Sequence, residues 1–382
     1  MEAFRKIRIL ETIRQGQVGG GETHVFDLVK TIDKTKFEVE VLSFTEGPMV
    51  EKLKELGVKT HVISTLKPFD FKIWKTIKAM IEKGNFDIIH AHGTRAASNV
   101  FYAAKKLKTP LLYTVHGWSF HDGQNIIVRK LREISESFLT KKADLTIAVS
   151  NSNENDGKTK FKLSNSKVIF NGIDQEKFDN QKSNFCDIRK EFNIPQTKTL
   201  VGYLVRMTYQ KDPITMIKAI HAVVAKTENV HFLMIGNGEL LEDAKNLAQE
   251  LKLMNHISFS DFRSDIPDIL QAIDIYCLPS LWEGMPIGLL EAMAMGKACI
   301  ATGVDGTKEL ITSNENGILI PKKDENSLAS AILELHHNKA KRLQLSENAQ
   351  KYVAKNFSLK EMVQKIEKTY FGFTTVNSDY SF

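Results

Sequence analysis

Pro279-Ser280-Leu281-Trp282-Glu283-Gly284-Met285-Pro286-Ile287-Gly288-Leu289-Leu290-Glu291-Ala292-Met293-Ala294 follows an apolar, strand-like segment, Asp274 to Leu278, and runs into a helix-forming stretch. A short apolar strand, a Gly/Pro turn and a helix make one βα unit of a parallel sheet. Open α/β sheets place their ligand crevices at the carboxyl ends of such strands. Glu283 falls in the turn. Glu291, eight positions on, falls inside the helix and interrupts its apolar face of Ile287, Leu290, Met293 and Ala294. A carboxylate there is costly to bury unless something hydrogen-bonds it, and a hydroxyl-rich ligand is a good partner. By itself the pair also fits an acid/base couple.

The same alternation extends outward in both directions. Strands are expected at residues 7–10, 37–42, 60–63, 87–90, 111–115, 145–149 and 167–169, with helical periodicity between them, for example over 23–32 and 73–81. A polar stretch, 175–199, reads as a linker. The pattern then restarts with strands at 200–204, 230–235, 257–259, 275–278, 298–301 and 317–320. The expected fold is therefore α/β, with two Rossmann-like, doubly wound domains facing across a cleft, a common place for a ligand. The domains are expected at 1–175 and 176–358. A last helix, 359–372, is expected to pack back on the first domain, and 374–382 to form a loose tail.

Bulk properties agree with this reading. A chain of 382 residues exceeds a single ordinary core, and 42% hydrophobic with 26% charged residues is an ordinary globular composition. No apolar run has the length of a membrane span, and the N-terminus lacks a signal-peptide core, so a cytoplasmic protein is expected. Cys186, Cys277 and Cys299 lack metal-ligand spacing. The net charge of +6 includes many lysines and arginines in the first half, among them Lys72, Lys75, Lys78, Lys105, Lys106, Arg129, Lys130, Arg132, Lys141 and Lys142. They fit either a basic surface for anionic lipid or phosphate, or plain solvated helix faces.

Further constellations sit at strand ends. Gly19-Gly20-Gly21-Glu22 follows the first strand and opens a helix, where glycines let a ligand approach the backbone and the helix start favours an anion. No G-x-G-x-x-G can be drawn through Gly16–Gly21. Gly236-Asn237-Gly238 also follows a strand, but position 241 is Leu, so a dinucleotide site is poorly supported. Arg206 and Lys211 flank the turn after 200–204, ahead of Asp212-Pro213, which reads as a helix cap. Two cations at such a turn can neutralise a diphosphate, and they also fit a surface pair. His116 closes one strand, and His90 and His92 close its neighbour. Each fits a structural histidine as well as a functional one. A zinc reading needs convergence that spacing does not provide, and no metal is expected.

In order and spacing these pieces resemble the retaining GT-B glycosyltransferases of family GT4. The resemblance rests on Gly19–Glu22, Thr114-Val115-His116-Gly117, Asn171-Gly172-Ile173-Asp174, Arg206 with Lys211, the Glu283/Glu291 spacing and Gly317–Pro321, and spans nearly the whole chain. It implies that Arg206 and Lys211 hold the donor diphosphate, Glu291 the ribose and Glu283 the transferred sugar, with His116 beside that sugar. It further implies a base-binding loop at Phe262 and Arg263, substrate contacts from the glycine loop of Gly19, Gly20 and Gly21, and donor contacts over Met285, Pro286, Ile287 and Gly288, where the backbone N–H groups of the three residues other than proline add to a phosphate cradle. No cofactor or metal is implied, because cationic side chains and the helix start do its electrostatic work.

Met285-Pro286 and Asp305-Gly306 depart from the usual Phe-Gly and Gly-Gly, and both departures alter the rim around the sugar. The run His116–His121 is similar to that of bacterial enzymes that build capsule, O-antigen or other lipid-linked oligosaccharides. That favours a UDP-sugar, UDP-N-acetylhexosamine among them, and a glycan or lipid-linked acceptor with peripheral contact at the inner membrane. The segment Phe69–Lys78 with Trp74 fits such a contact or a helix packed on its sheet. Alternatives are a nucleotide-sugar epimerase or phosphorylase, or a non-catalytic nucleotide-sugar-binding subunit. No aromatic-basic motif points to nucleic acid.

Overall fold

The computed structural model describes residues 5–17 and 19–374; the first residues of the N-terminus and positions 375–382 of the expected tail lie outside them. The chain forms two units, one built from the residues up to Gly172 with the helix Leu359–Phe373, the other from Ile173 to Ser358.

The first unit is a parallel sheet of seven strands: β1 (Ile7–Ile13), β2 (Phe37–Ser43), β3 (Thr60–Val62), β4 (Ile88–His92), β5 (Leu111–Val115), β6 (Leu145–Ala148) and β7 (Ser166–Val168), in the order β3-β2-β1-β4-β5-β6-β7. The central strands are buried on both faces, which is why they read as largely apolar runs, interrupted at Glu11 in β1 and at His90 and His92 in β4. Successive residues of β5 show the period of two: Leu111, Tyr113 and Val115 join the core beneath helices Trp74–Gly84 and Thr94–Leu107. Leu112 joins the opposite core, where Leu359, Met362, Val363, Ile366 and Tyr370 of the last helix pack with Leu28 and Ile32.

The second unit repeats the plan with β8 (Thr199–Leu204), β9 (Val230–Ile235), β10 (Ile257–Ser260), β11 (Ile275–Leu278), β12 (Ala298–Thr302) and β13 (Ile318–Ile320), all parallel, in the order β10-β9-β8-β11-β12-β13. Cys277 and Cys299 are buried free thiols on adjacent strands.

The stretch 175–199 is not a loose linker. Phe178, Ile188 and Ile194 are buried in the second unit. Arg189 pairs with Asp274 at 2.8 Å and donates to the carbonyls of Ala272 and Lys198. Isolated apolar residues and a buried arginine carry no periodicity, so the polar composition misled.

In each sheet the order reverses once, between β1 and β4 and between β8 and β11. At such a switch point the loops leave in opposite directions and open a crevice at the strand ends. The loops concerned are those after β1 and β4 in the first unit, and residues 205–212 and 279–286 in the second. These loops carry Gly19–Glu22, Arg206 with Lys211, and Glu283; His116 follows the neighbouring strand β5.

Candidate active site

In the second unit Lys211 ends a short 3-10 turn, Tyr209–Lys211, after β8. Asp212 adopts a left-handed conformation (φ 54°) and caps the next helix by accepting from Thr215 N at 3.2 Å, with Pro213 in the first turn. The capping reading of Asp212-Pro213 is thereby met. Lys211 Nζ donates to Glu283, whose side chain is 6% exposed. Further bonds stitch the two strand-end loops together: Leu281 N to Gln210 O at 2.8 Å, and Gln210 Nε2 to Trp282 O at 2.8 Å.

Asp305 accepts from the backbone N–H of Glu283 at 3.0 Å, so the departure at 305–306 supplies a carboxylate that fixes the Glu283 loop. Met285, Pro286 and Ile287 are buried, Gly288 and Glu291 half-buried, on the helix Ile287–Ala294, whose N-terminus has no side-chain cap. Gly288 faces Tyr276, and a Cβ there would meet the Tyr276 hydroxyl at 2.9 Å.

Arg206 is exposed at the start of the loop. The Gly236-Asn237-Gly238 loop closes against it: a Cβ on Gly236 would lie 1.9 Å from the Val205 carbonyl, and one on Gly238 2.3 Å from that of Met207. Those glycines shape the cation-bearing loop. Phe262 is exposed at 44%, whereas the Arg263 guanidinium is tied to Asp265 and Glu191, bonds that raise its pKa.

In the first unit His116 lies against Gly21, where a Cβ would sit 3.2 Å from its ring. The helix Gly20–Thr31 begins in this glycine run, with Gly19 extended. His116 Nε2 meets His92 Nδ1 at 3.0 Å, and His92 Nε2 meets Glu11 Oε2 at 2.7 Å. Glu11 also accepts from the Tyr370 hydroxyl at 2.5 Å, and that hydroxyl contacts His90 Nδ1 at 2.6 Å. His24 Nδ1 meets Asn171 Oδ1 at 3.0 Å, while its Nε2 is buried with no hydrogen-bond partner among the described residues.

Burial pushes the Glu11 carboxyl up, but His90 and His92 beside it outweigh burial and hold it below the usual range. Burial, followed by the neighbouring His90, holds His92 down to about 4; burial with His92 and His90 holds His24 down to about 3. His116 is lowered as well, by burial and then by His24 and His92. Near neutral pH these three imidazoles are therefore uncharged and Glu11 is ionised. A carboxylate can only accept, so His92 carries its proton on Nε2 and accepts at Nδ1. His116 must then donate from Nε2, which leaves its Nδ1 as an acceptor.

The histidine convergence that spacing could not give is present, with His24 added. His24, His92 and His116 offer nitrogens within 4.8 Å of one another, as do the ligand atoms of Glu11, His90 and His92. Three imidazoles could hold a zinc-like ion; here two of them are joined to each other. Glu11, His24 and Tyr370 were missed in the sequence, although a glutamate inside the apolar strand Ile7–Ile13 was a usable signal.

The histidines give a pH prediction. Their folded pKa values lie below the unfolded value of about 6.5, so the unfolded chain takes up protons first as pH falls. Stability contributed by the neutral cluster is whole above about pH 6.5 and is lost as pH drops toward 4. Glu11, lowered in the folded state, adds a loss only below about pH 4.5. The melting temperature is expected to fall between pH 7.5 and 5; a flat profile that stays flat in His24→Gln would contradict the assignment.

Comparison with known proteins follows the same division. Residues 18–177 match the family model Glycosyltransferase Family 4, and residues 184–352 match that of the glycosyl transferases group 1. The chain is 26% identical over 377 residues to the UDP-Gal:alpha-D-GlcNAc-diphosphoundecaprenol alpha-1,3-galactosyltransferase of Escherichia coli, covering 96% of this chain and 97% of that protein. It is 25% identical to the O-antigen biosynthesis glycosyltransferase WclY of the same species, covering 75% and 79%. Among solved structures, Anabaena Alr3699/HepE in complex with UDP and glucose superposes with a TM-score of 0.84 at 22% identity, covering 96% of this chain and 100% of that one. TarM superposes at 0.80 with 15% identity, covering 97% and 100%. With the GT-B fold, and with family matches that follow both units, the chain belongs to the family 4 glycosyltransferases.

Proposed function

We propose that the enzyme transfers a sugar from a UDP-sugar, with retention, to a lipid-diphosphate-linked glycan in the synthesis of a surface polysaccharide. The observation that carries this is the Lys211–Glu283 pair at the β8/β11 switch point, with Arg206 at the start of the same loop. A buried carboxylate held by a lysine, on a loop that also carries a second cation, suits a donor with a diphosphate and a hydroxylated ring. In this reading Arg206 and Lys211 neutralise the diphosphate as it departs, and the amides of Ile287 and Gly288 face it. Glu283 takes hydroxyls of the sugar, Glu291 the ribose, and the loop at Phe262 and Arg263 the base. Gly19, Gly20 and Gly21 leave room for the ligand beside His116, whose Nδ1 accepts from the sugar. Attack comes from the face of departure. The uridine nucleotide is supported by relatives whose names include UDP-galactose or UDP, and the lipid-linked acceptor by the diphosphoundecaprenol named for one of them.

The test is a donor screen with purified protein and lipid-linked acceptor. UDP-hexoses or UDP-N-acetylhexosamines should release UDP only when acceptor is present. Binding without nucleotide release would sink the catalytic reading, and a preference for GDP-sugars would sink the uridine assignment. Glu291→Ala should raise the KM for donor about tenfold with little change in kcat, the signature of lost ground-state binding; steady-state kinetics with varied donor decides it.

A further inference from the structure

Eight of the fourteen large apolar side chains that stand exposed among the described residues lie on two adjoining segments of the first unit. Six are on the helix Ile126–Lys142: Ile126, Ile127, Val128, Leu131, Ile134 and Phe138. Leu66 and Phe71, each 73% exposed, stand on the loop that reaches this helix through the Phe69–Phe138 ring contact. Trp74, by contrast, is half-buried and stacks on Tyr102.

At helical spacing Ile127, Leu131, Ile134 and Phe138 fall within an arc of about 60°. Lys130, Lys141 and Lys142 flank that arc, and Lys142 lies 5.4 Å from the Phe138 ring centre. The helix has two acidic residues: Glu136 is fully buried and Glu133, paired with Lys130, is 14% exposed. Its outer face is thus apolar and cationic with almost no exposed anion. Burying apolar side chains between cations is what the interface of an anionic bilayer rewards. A self-complementary contact would bring like charges together.

The helix is also fixed to the loop after β5 that carries His116. Glu136 accepts from Thr94, Tyr113 and Ser119, and Arg132 donates to the Ser119 carbonyl at 2.6 Å. A surface seated here holds the His116 loop at a set distance from whatever it binds.

We propose that the outer face of helix Ile126–Lys142, with Leu66 and Phe71, docks the enzyme on an anionic lipid bilayer, so that a lipid-anchored acceptor is presented to the His116 loop. The docking stands on this surface alone; its purpose rests on the proposed function. The test is flotation of the full chain with vesicles of phosphatidylglycerol and phosphatidylethanolamine, against vesicles of phosphatidylcholine. Wild type should float with the anionic vesicles, at least about tenfold more tightly than with phosphatidylcholine, and less so as salt rises. Ile127→Ser/Leu131→Ser/Ile134→Ser should weaken binding at least about tenfold. Lys130→Ser/Lys141→Ser/Lys142→Ser should weaken it about fivefold per lysine. All changes are at exposed positions, so both variants should keep the wild-type melting temperature and UDP binding.

No flotation, or flotation indifferent to both variants, would overturn the proposal. So would a concentration-dependent dimer in sedimentation that the serine variants dissolve, since that assigns the face to a second copy. Failure of docking with donor turnover intact leaves the transferase reading standing. Docking without UDP-sugar binding does the reverse.

Discussion

Lys211→Ala is expected to lower kcat/KM for the donor by about 10²- to 10³-fold, the usual loss when a charge aimed at a developing anion is removed. It should also destabilise the second unit, because Glu283, whose side chain is 6% exposed, is left without its cationic partner. Breaking a buried pair from one side costs about 3–5 kcal/mol, and the low end applies here since the Lys211 side chain is 19% exposed. The two effects separate in Lys211→Met/Glu283→Gln. Neutralising both partners removes the stranded charge and should recover most of the stability, while transfer stays lost. Chemical denaturation and donor kinetics on the two variants read this directly. Recovery of activity in the double variant, or full activity in Lys211→Ala, would show that the lysine only balances Glu283.

The second large effect is expected at His116. Deleting its ring in His116→Ala removes the acceptor at Nδ1 and should reduce kcat about 10- to 100-fold, the range for a lost hydrogen bond that leaves a polar partner unpaired. Glu11→Gln probes the same group from a distance. Ionised Glu11 can only accept, and this alone orders the protons along His92 and His116. A glutamine amide can turn either its oxygen or its nitrogen toward His92, so both proton orders become available. Nitrogen-15 spectra of the imidazoles should show His116 protonated on Nε2 alone in the wild type, and on either nitrogen in the variant. Transfer should fall about tenfold. A wild-type His116 protonated on Nδ1, or a metal ion bound in stoichiometric amount, would replace this chain with another arrangement. An inverted or mixed tautomer with unchanged kcat would instead remove His116 from the reaction.

Much of the fold was legible because a βα unit is local. An apolar run, a glycine or proline turn and an amphipathic stretch fit within a few tens of residues, so the strands could be read almost to their observed ends. Asp212-Pro213 was readable as a cap for the same reason. The segment 175–199 was misread because its packing rests on single residues, Phe178, Arg189 and Ile194, each meeting partners from elsewhere in the unit. Trp74 could not be assigned from its neighbours; Phe101 and Tyr102 on another helix decided it.

The sequence by itself determined the α/β class, the strand-end loops and the residue types they carry, because these depend on periodicity and turn chemistry within short windows. Only the tertiary structure decided which groups meet. Lys211 reaches Glu283 because β8 and β11 are neighbours, although 72 positions separate the two residues. Glu11, His92, His116 and Tyr370 converge because β1 pairs with β4, β4 with β5, and the last helix lies on that sheet. Strand order and register place those side chains within hydrogen-bonding distance, and neither is encoded in any local stretch of the chain.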